Sequence, residues 1–341
     1  MLGLLEFIFK RSLATAALLL AISFVAFGII YAVPGDYVDT WLSRTAAFTG
    51  QSYAELQPQA DLLRQRYGLD KPFLQQYFSW IWGIVTEGDF GPSFSQSREV
   101  ADVMVQRLGR TMLLAIITLV IGQIIGALLG IYAATHQNRL GDFFATLIAF
   151  LGITIPKFII ALVILYFLAF VFHSPYIGAL QSPKYLLADE LSWGMVVDYF
   201  LHVWPVLFIS VWAGQAYTLR MMRGNLLDVM QKQYVETAVA KGLSPRRVIF
   251  LHAVPNALHP IIMNQGTRFD YMVKGEIEIA IVLSIPTVGP LILAAVYQSD
   301  MYLVAAIFLA VAALLVVGNL IADLLLALLD PRIRHAAARQ H

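Results

Sequence analysis

The 341-residue chain contains no cysteine, which excludes disulfides, thiol catalysis and thiolate metal sites. Charge is scarce: Asp, Glu, Lys and Arg make up 13% of the residues, against about 25% in a typical soluble domain. A net charge of +1 gives no case for a nucleic-acid partner. The strings that would mark an intramembrane enzyme are missing too. There is no His-Glu-x-x-His of a zinc-protease helix and no Gly-x-Ser-x-Gly nucleophile elbow. Without a Gly-x4-Gly-Lys-Ser/Thr phosphate loop, the chain does not bind and hydrolyse ATP in that manner. Any energy from ATP therefore enters through a separate subunit.

What is present is apolar. Hydrophobic residues form 59% of the sequence, and they fall in runs. A helix needs roughly 20 apolar residues to cross a hydrocarbon core about 30 Å thick. Ser12–Val33 follows Lys10 and Arg11 and exceeds the roughly 7–15 apolar residues of a cleavable signal, so it reads as an uncleaved first span. Further runs are Thr111–Ala134, Phe143–Phe172, Tyr199–Leu219, Leu258 to about Leu283, and Leu303–Leu329. The expected fold is all-α and membrane-embedded, with about six spans. In the second run Gly122, Gly126 and Gly130 repeat at four-residue spacing, which lets helix backbones approach closely in lipid.

Six spans put both termini on one side, and the basic residues test which. The proposed cytoplasmic segments hold 12 Lys/Arg in about 71 residues, the opposite side 8 in about 120. Short Lys/Arg-rich loops stay inside, so both termini are expected in the cytoplasm. The predicted organisation is a cytoplasmic N-terminus with the first span (1–33), an external segment (34–110) and a permease core (111–341) containing a cytoplasmic loop at 220–259. The external segment mixes Pro, Gly and Asp with Tyr67, Phe73, Tyr77, Phe78, Trp80 and Trp82. It reads as a packed cap, or as a layer at the membrane interface. The long external segment and the loop each occur once, unlike the paired halves of many secondary transporters.

Within the loop, Leu226, Met230, Tyr234 and Ala238 recur every four residues, predicting a helix over Asn225–Lys241. Gly242 stops it, since glycine accepts the left-handed conformation at a helix end. Ser244 and Pro245 can start a second helix, and Pro255 is expected to end it. A helix–glycine–helix elbow of this kind suits docking to a soluble partner; the same pattern also fits an amphipathic stretch on lipid headgroups.

The stretch Tyr234-Val235-Glu236-Thr237-Ala238-x-Ala240-Lys241-Gly242-Leu243, with Pro255-Asn256-Ala257 downstream, resembles the EAA loop of ABC-importer permeases. In detail it resembles the dipeptide/oligopeptide/nickel branch. Val33-Pro34-Gly35-Asp36, Tyr67-Gly68-Leu69-Asp70-Lys71-Pro72, Gly88-Asp89-Phe90-Gly91-Pro92-Ser93, Gly152-Ile153-Thr154-Ile155-Pro156-x-Phe158 and Asp330-Pro331-Arg332-Ile333-Arg334 extend the likeness over nearly the whole chain. The resemblance implies a bacterial inner-membrane permease that works by alternating access. Its implied partners are a homologous second permease, two ABC ATPase subunits that bind ATP and Mg, and an external solute-binding protein; this chain itself would bind no cofactor or metal. Tyr234 and Glu236 would belong to the coupling surface, Glu236 meeting a basic residue of the ATPase. Gly242 would form the bend, and Ala238, Lys241, Leu243, Ser244, Arg246 and Arg247 would line the docked face. Pro286-Thr287 and Ala280 stand where the branch often has Pro-Gly and Glu. That points to a sub-branch, and leaves oligosaccharides and nickel chelates beside peptides as substrates.

The fifth run carries charges. Asp270, Lys274 and Glu278 are spaced i, i+4, i+8 and form one alternating stripe. Three unpaired charges at a helix centre would cost about 9 kcal/mol on insertion scales, so the stripe is expected to face a partner chain or a watery path. It reads equally as a translocation lining or as a structural ladder. Lys157, after Pro156, is a candidate partner for Glu276 or Glu278. His202 and Asp323 are expected to bond to neighbouring helices.

Overall fold

The computed structural model describes residues 2–186, 191–264, 273 and 276–329. The chain divides into two compact units.

The first unit runs to Gly109 and includes Thr287–Val316. It begins with α1 (Leu2–Tyr31), followed by the short helices α2 (Tyr37–Thr49), α3 (Tyr53–Tyr67) and α4 (Phe73–Glu87). Asp36 and Asp39 form a capping box at the start of α2, and Ser52 with Glu55 does the same for α3. Arg64 of α3 reaches back to Asp36, Asp39 and Asp61, which draws α2 and α3 into an antiparallel pair over Val38, Leu42, Leu56 and Ala60. Gly68 then ends α3 at φ +67°, a conformation costly for a residue with a Cβ. A two-residue hairpin pairs Pro92–Ser93 with Arg98–Glu99. The buried Asp300 carboxylate accepts hydrogen bonds from Ser93 Oγ and the Ser95 backbone, both at 2.8 Å. The segment after the first span is thus packed. Tyr77 and Trp80 are buried against Phe27 of the first span, whereas Phe78 and Trp82 point outward.

The second unit, Arg110–Pro286 with the last helix from Val317, carries the loop. Its elements are α5 (Val100–Thr135, which starts in the first unit), α6 (Leu140–Thr154), α7 (Lys157–Tyr166), α8 (Trp193–Met230), α9 (Gln233–Ala240), α10 (Pro245–Arg247) and α11 (Val254–Met263). The glycine spacing on α5 works as expected. A Cβ on Gly126 would lie 2.8 Å from the Gln215 carbonyl, and one on Gly130 2.6 Å from Met222 Cβ. Glycine here lets α5 touch the backbone of α8. On its other side α8 meets α6, where Trp212 Nε1 donates to the Ile148 carbonyl at 2.8 Å.

The third apolar run differs from the expected single span. α6 and α7 meet at a 92° bend, because Pro156 has no N–H to continue the ladder and Ile155 before it is extended (φ −80°, ψ 124°). Among the described residues, three helices are long and apolar enough to cross a membrane: Leu13–Tyr31, Val100–Thr135 and Trp193–Met230. The bent α6–α7 pair would make a fourth. The fifth run is helical in α11 and again at 276–282, with 265–272 outside the described residues. The last helix spans Met301–Leu329, but the Asp323 side chain lies outside what is described. His202 finds its partner on its own helix, not a neighbouring one: Nδ1 donates to the Asp198 carbonyl at 2.8 Å.

Candidate coupling site

The loop after α8 is a folded elbow. α8 ends at Met230 and α9 restarts at Gln233, so the expected continuous helix Asn225–Lys241 is broken at Gln231–Lys232. The reason is two separate anchors. Leu226 packs in α8 with Met222, Ala253, Val254, Ala257 and Ile261. Val235 and Ala238 instead close on Val248, with Val229 and Leu243 at the edge. Ala238 is therefore inside the elbow, and its methyl holds the elbow's own packing.

Gly242 closes α9 at φ +77°, its N–H donating to the Val239 carbonyl at 2.9 Å. Ser244 occupies the cap of α10 in extended conformation without a side-chain hydrogen bond. From Pro245 the chain stays helical to Met263, and Pro255 does not end it. A π-helical turn at Val248–Ala253 inserts an extra residue ahead of Pro255, so its missing N–H interrupts no α-type bond there. The two ends of the elbow are tied where Asn225 Nδ2 donates to the Ala257 carbonyl at 3.1 Å.

The outward face carries Tyr234, Glu236, Lys241, Ser244, Arg246 and Arg247, all exposed. Tyr234 is 45% and Val239 58% exposed, so apolar surface flanks a carboxylate. Glu236 has no ion-pair partner among the described residues. A rigid scaffold thus presents one negative and three positive side chains beside apolar contacts, the composition of a docking surface with a polar rim.

The membrane charges fall differently. Asp270 and Lys274 lie outside the described residues, and Glu278 is exposed on the chain's own surface. Glu276, midway between the stripe positions Lys274 and Glu278, is 1% exposed. Its carboxyl group sits beside the hydroxyls of Ser210 and Thr118 and within electrostatic reach of Lys157. None of the four oxygens has a well-formed hydrogen bond. The spacing points to Glu278, with Glu276 only an alternative partner for Lys157; the buried carboxylate is Glu276. No cluster of metal-ligating side chains occurs among the described residues.

A predominantly helical membrane protein with a buttressed elbow between the long α8 and the short α11 has the form of a transport permease. The family described as "Binding-protein-dependent transport system inner membrane component" matches residues 126–335, and its N-terminal companion matches 4–115; the chain belongs to this family. It is 29% identical to the oligopeptide transport system permease protein AppB of Bacillus subtilis over 96% of this chain and 99% of that protein. It is 28% identical to the dipeptide transport system permease protein DppB of Escherichia coli K12 (97% and 99%), and 31% identical to DppB of Lactococcus lactis (81% and 86%).

Proposed function

We propose that the chain is a non-catalytic permease subunit of an ATP-driven importer, carrying peptides across the bacterial cytoplasmic membrane by alternating access. It would act with a homologous second permease, two ABC ATPases that hold the ATP and Mg, and an external solute-binding protein. The peptide assignment rests on the names of the relatives, and the cytoplasmic placement of both termini on the Lys/Arg distribution. The observation that carries the mechanism is the elbow: an exposed Glu236, without an ion-pair partner among the described residues, on a helix whose other face is locked by Val235 and Ala238. A surface seated in a moving ATPase cleft passes rigid-body motion to α8 and α11.

The absence of cysteine makes the test clean. Glu236→Cys creates the sole thiol of the chain, and in the assembled transporter a bifunctional crosslinker is expected to join it to an ATPase subunit with a yield that changes on adding ATP. No adduct in any nucleotide state would remove the coupling role.

We assign Asp270, Lys274, Glu278 and Lys157 to the polar lining of the path. Asp270→Asn combined with Glu278→Gln is expected to lower uptake at least tenfold while the complex still assembles and hydrolyses ATP. Unchanged uptake would leave these charges a structural ladder.

A further inference from the structure

A cleft of about 1010 Å³ opens between the start of α6 and the end of α8, on the end of the helices from which the elbow departs. Its charges do not cancel. Asp142 is already saturated: it accepts from Arg223 Nε at 2.9 Å, Arg223 Nη2 at 2.8 Å and the Asn138 backbone at 3.1 Å. Arg139 and Arg220 also line the cleft and are exposed, with no ion pair among the described residues. Arg139 occupies the cap position of the 15-residue α6 and contributes no side-chain bond there. Asp142 in the first turn already offsets the partial positive charge of that helix end, which leaves the two guanidinium groups as the charge of the rim. Below this rim Phe143, Leu147 and Phe150 are exposed on successive turns of α6. They form an apolar wall about 10 Å long, from the rise of an α-helix.

We propose that this cleft binds one anionic phospholipid, the phosphate on Arg139 and Arg220 and an acyl chain along Phe143, Leu147 and Phe150. The two halves of the site ask for the two halves of one molecule. A free phosphate uses the rim and leaves the wall uncovered. A zwitterionic lipid fits the wall but brings its own cation to a rim that already has two. Basic pockets between helices at the membrane surface hold anionic headgroups by this combination of charge and desolvation. The inference needs α6 and α8 to cross a membrane; it does not need the elbow to touch an ATPase.

Native mass spectrometry of the full chain with phosphatidylglycerol, or with phosphatidylcholine of identical acyl chains, tests it. The expected result is one retained phosphatidylglycerol, and roughly thirtyfold weaker retention in Arg139→Gln with Arg220→Gln, the size set by two basic contacts at a surface. Phe143→Ser with Phe150→Ser is expected to weaken phosphatidylglycerol but leave glycerol phosphate, tested as the soluble headgroup, unaffected. Arg66→Gln with Arg98→Gln, neutralised in the external segment, is expected to retain lipid as the parent does. Equal retention of both lipids, or an equal loss in the external-segment control, overturns the proposal. Because the arginine variant could disturb folding, a photoactivatable phosphatidylglycerol on the unaltered chain gives a second reading. Adducts on 139–150 or 219–224 support the site, and adducts confined elsewhere overturn it, as does an assembled complex in which a protein subunit covers Arg139 and Arg220.

Discussion

Gly242→Pro is expected to abolish uptake by the assembled transporter while leaving the chain inserted in the membrane. Gly242 sits at φ +77°, and a proline ring fixes φ near −65°. The substitution also deletes the N–H that bonds to Val239. The turn between α9 and α10 cannot survive both changes, so Arg246 and Arg247 would shift relative to Glu236. Insertion is spared because Gly242 is exposed and a Cβ there meets nothing within 4 Å. This openness separates conformation from packing. Gly242→Ala meets no clash and carries only the left-handed penalty, about 1–2 kcal/mol, so coupling is expected to weaken without vanishing. Gly242→Asn, a residue that tolerates that region, is expected to transport close to the parent. The measurement is substrate uptake and binding-protein-stimulated ATP hydrolysis in proteoliposomes. Normal coupling by the proline variant would show that the elbow is not a lever.

The ranking of these variants depends on one φ angle, and that angle was legible in the sequence. A glycine after a helical stretch and before Ser-Pro has few other roles. The apolar runs likewise marked α1, α5 and α8, and the glycine spacing on α5 picked out the face that α8 touches. What stayed hidden has a common cause: it depends on which distant segment packs where. The four-residue series Leu226, Met230, Tyr234 and Ala238 reads as one helix face, yet only Leu226 and Ala238 are buried, each against a different anchor. Pro255 reads as a stop, but the π-turn before it absorbs the missing donor. The Asp142–Arg223 pair joins residues 81 apart in sequence, and no local spacing announces it. The stripe spacing singles out Glu278, yet the structure buries Glu276 and exposes Glu278, because burial follows from which helices pack there and not from spacing along one helix.

That long-range pair underlies the second large effect. Arg223→Ala is expected to destabilise the chain by about 3 kcal/mol, the lower end for removing one partner of a buried ion pair. The lower end applies because Arg223 is 29% exposed and partly screened, whereas Asp142 is 8% exposed. The penalty falls on Asp142, which would lose two of its donors and keep the Asn138 backbone and a long contact from Thr146. If an orphaned carboxylate is the cause, removing it as well must help. Asp142→Ala with Arg223→Ala is therefore expected to melt at a higher temperature than Arg223→Ala alone, with a coupling above about 1 kcal/mol in the double-mutant cycle. Arg223→Lys is expected to fall between the parent and Arg223→Ala, since an ammonium cannot reproduce the two parallel bonds of the guanidinium. Thermal unfolding of the parent, Arg223→Ala, Asp142→Ala, the double variant and Arg223→Lys in one detergent decides the matter, and equal melting of Arg223→Ala and the double variant would show that the pair contributes little. The same variants measured for uptake are expected to transport less than the parent at temperatures where the chain is still folded, because Arg223 lies just ahead of the elbow on α8 and ties that helix to α6 through Asp142.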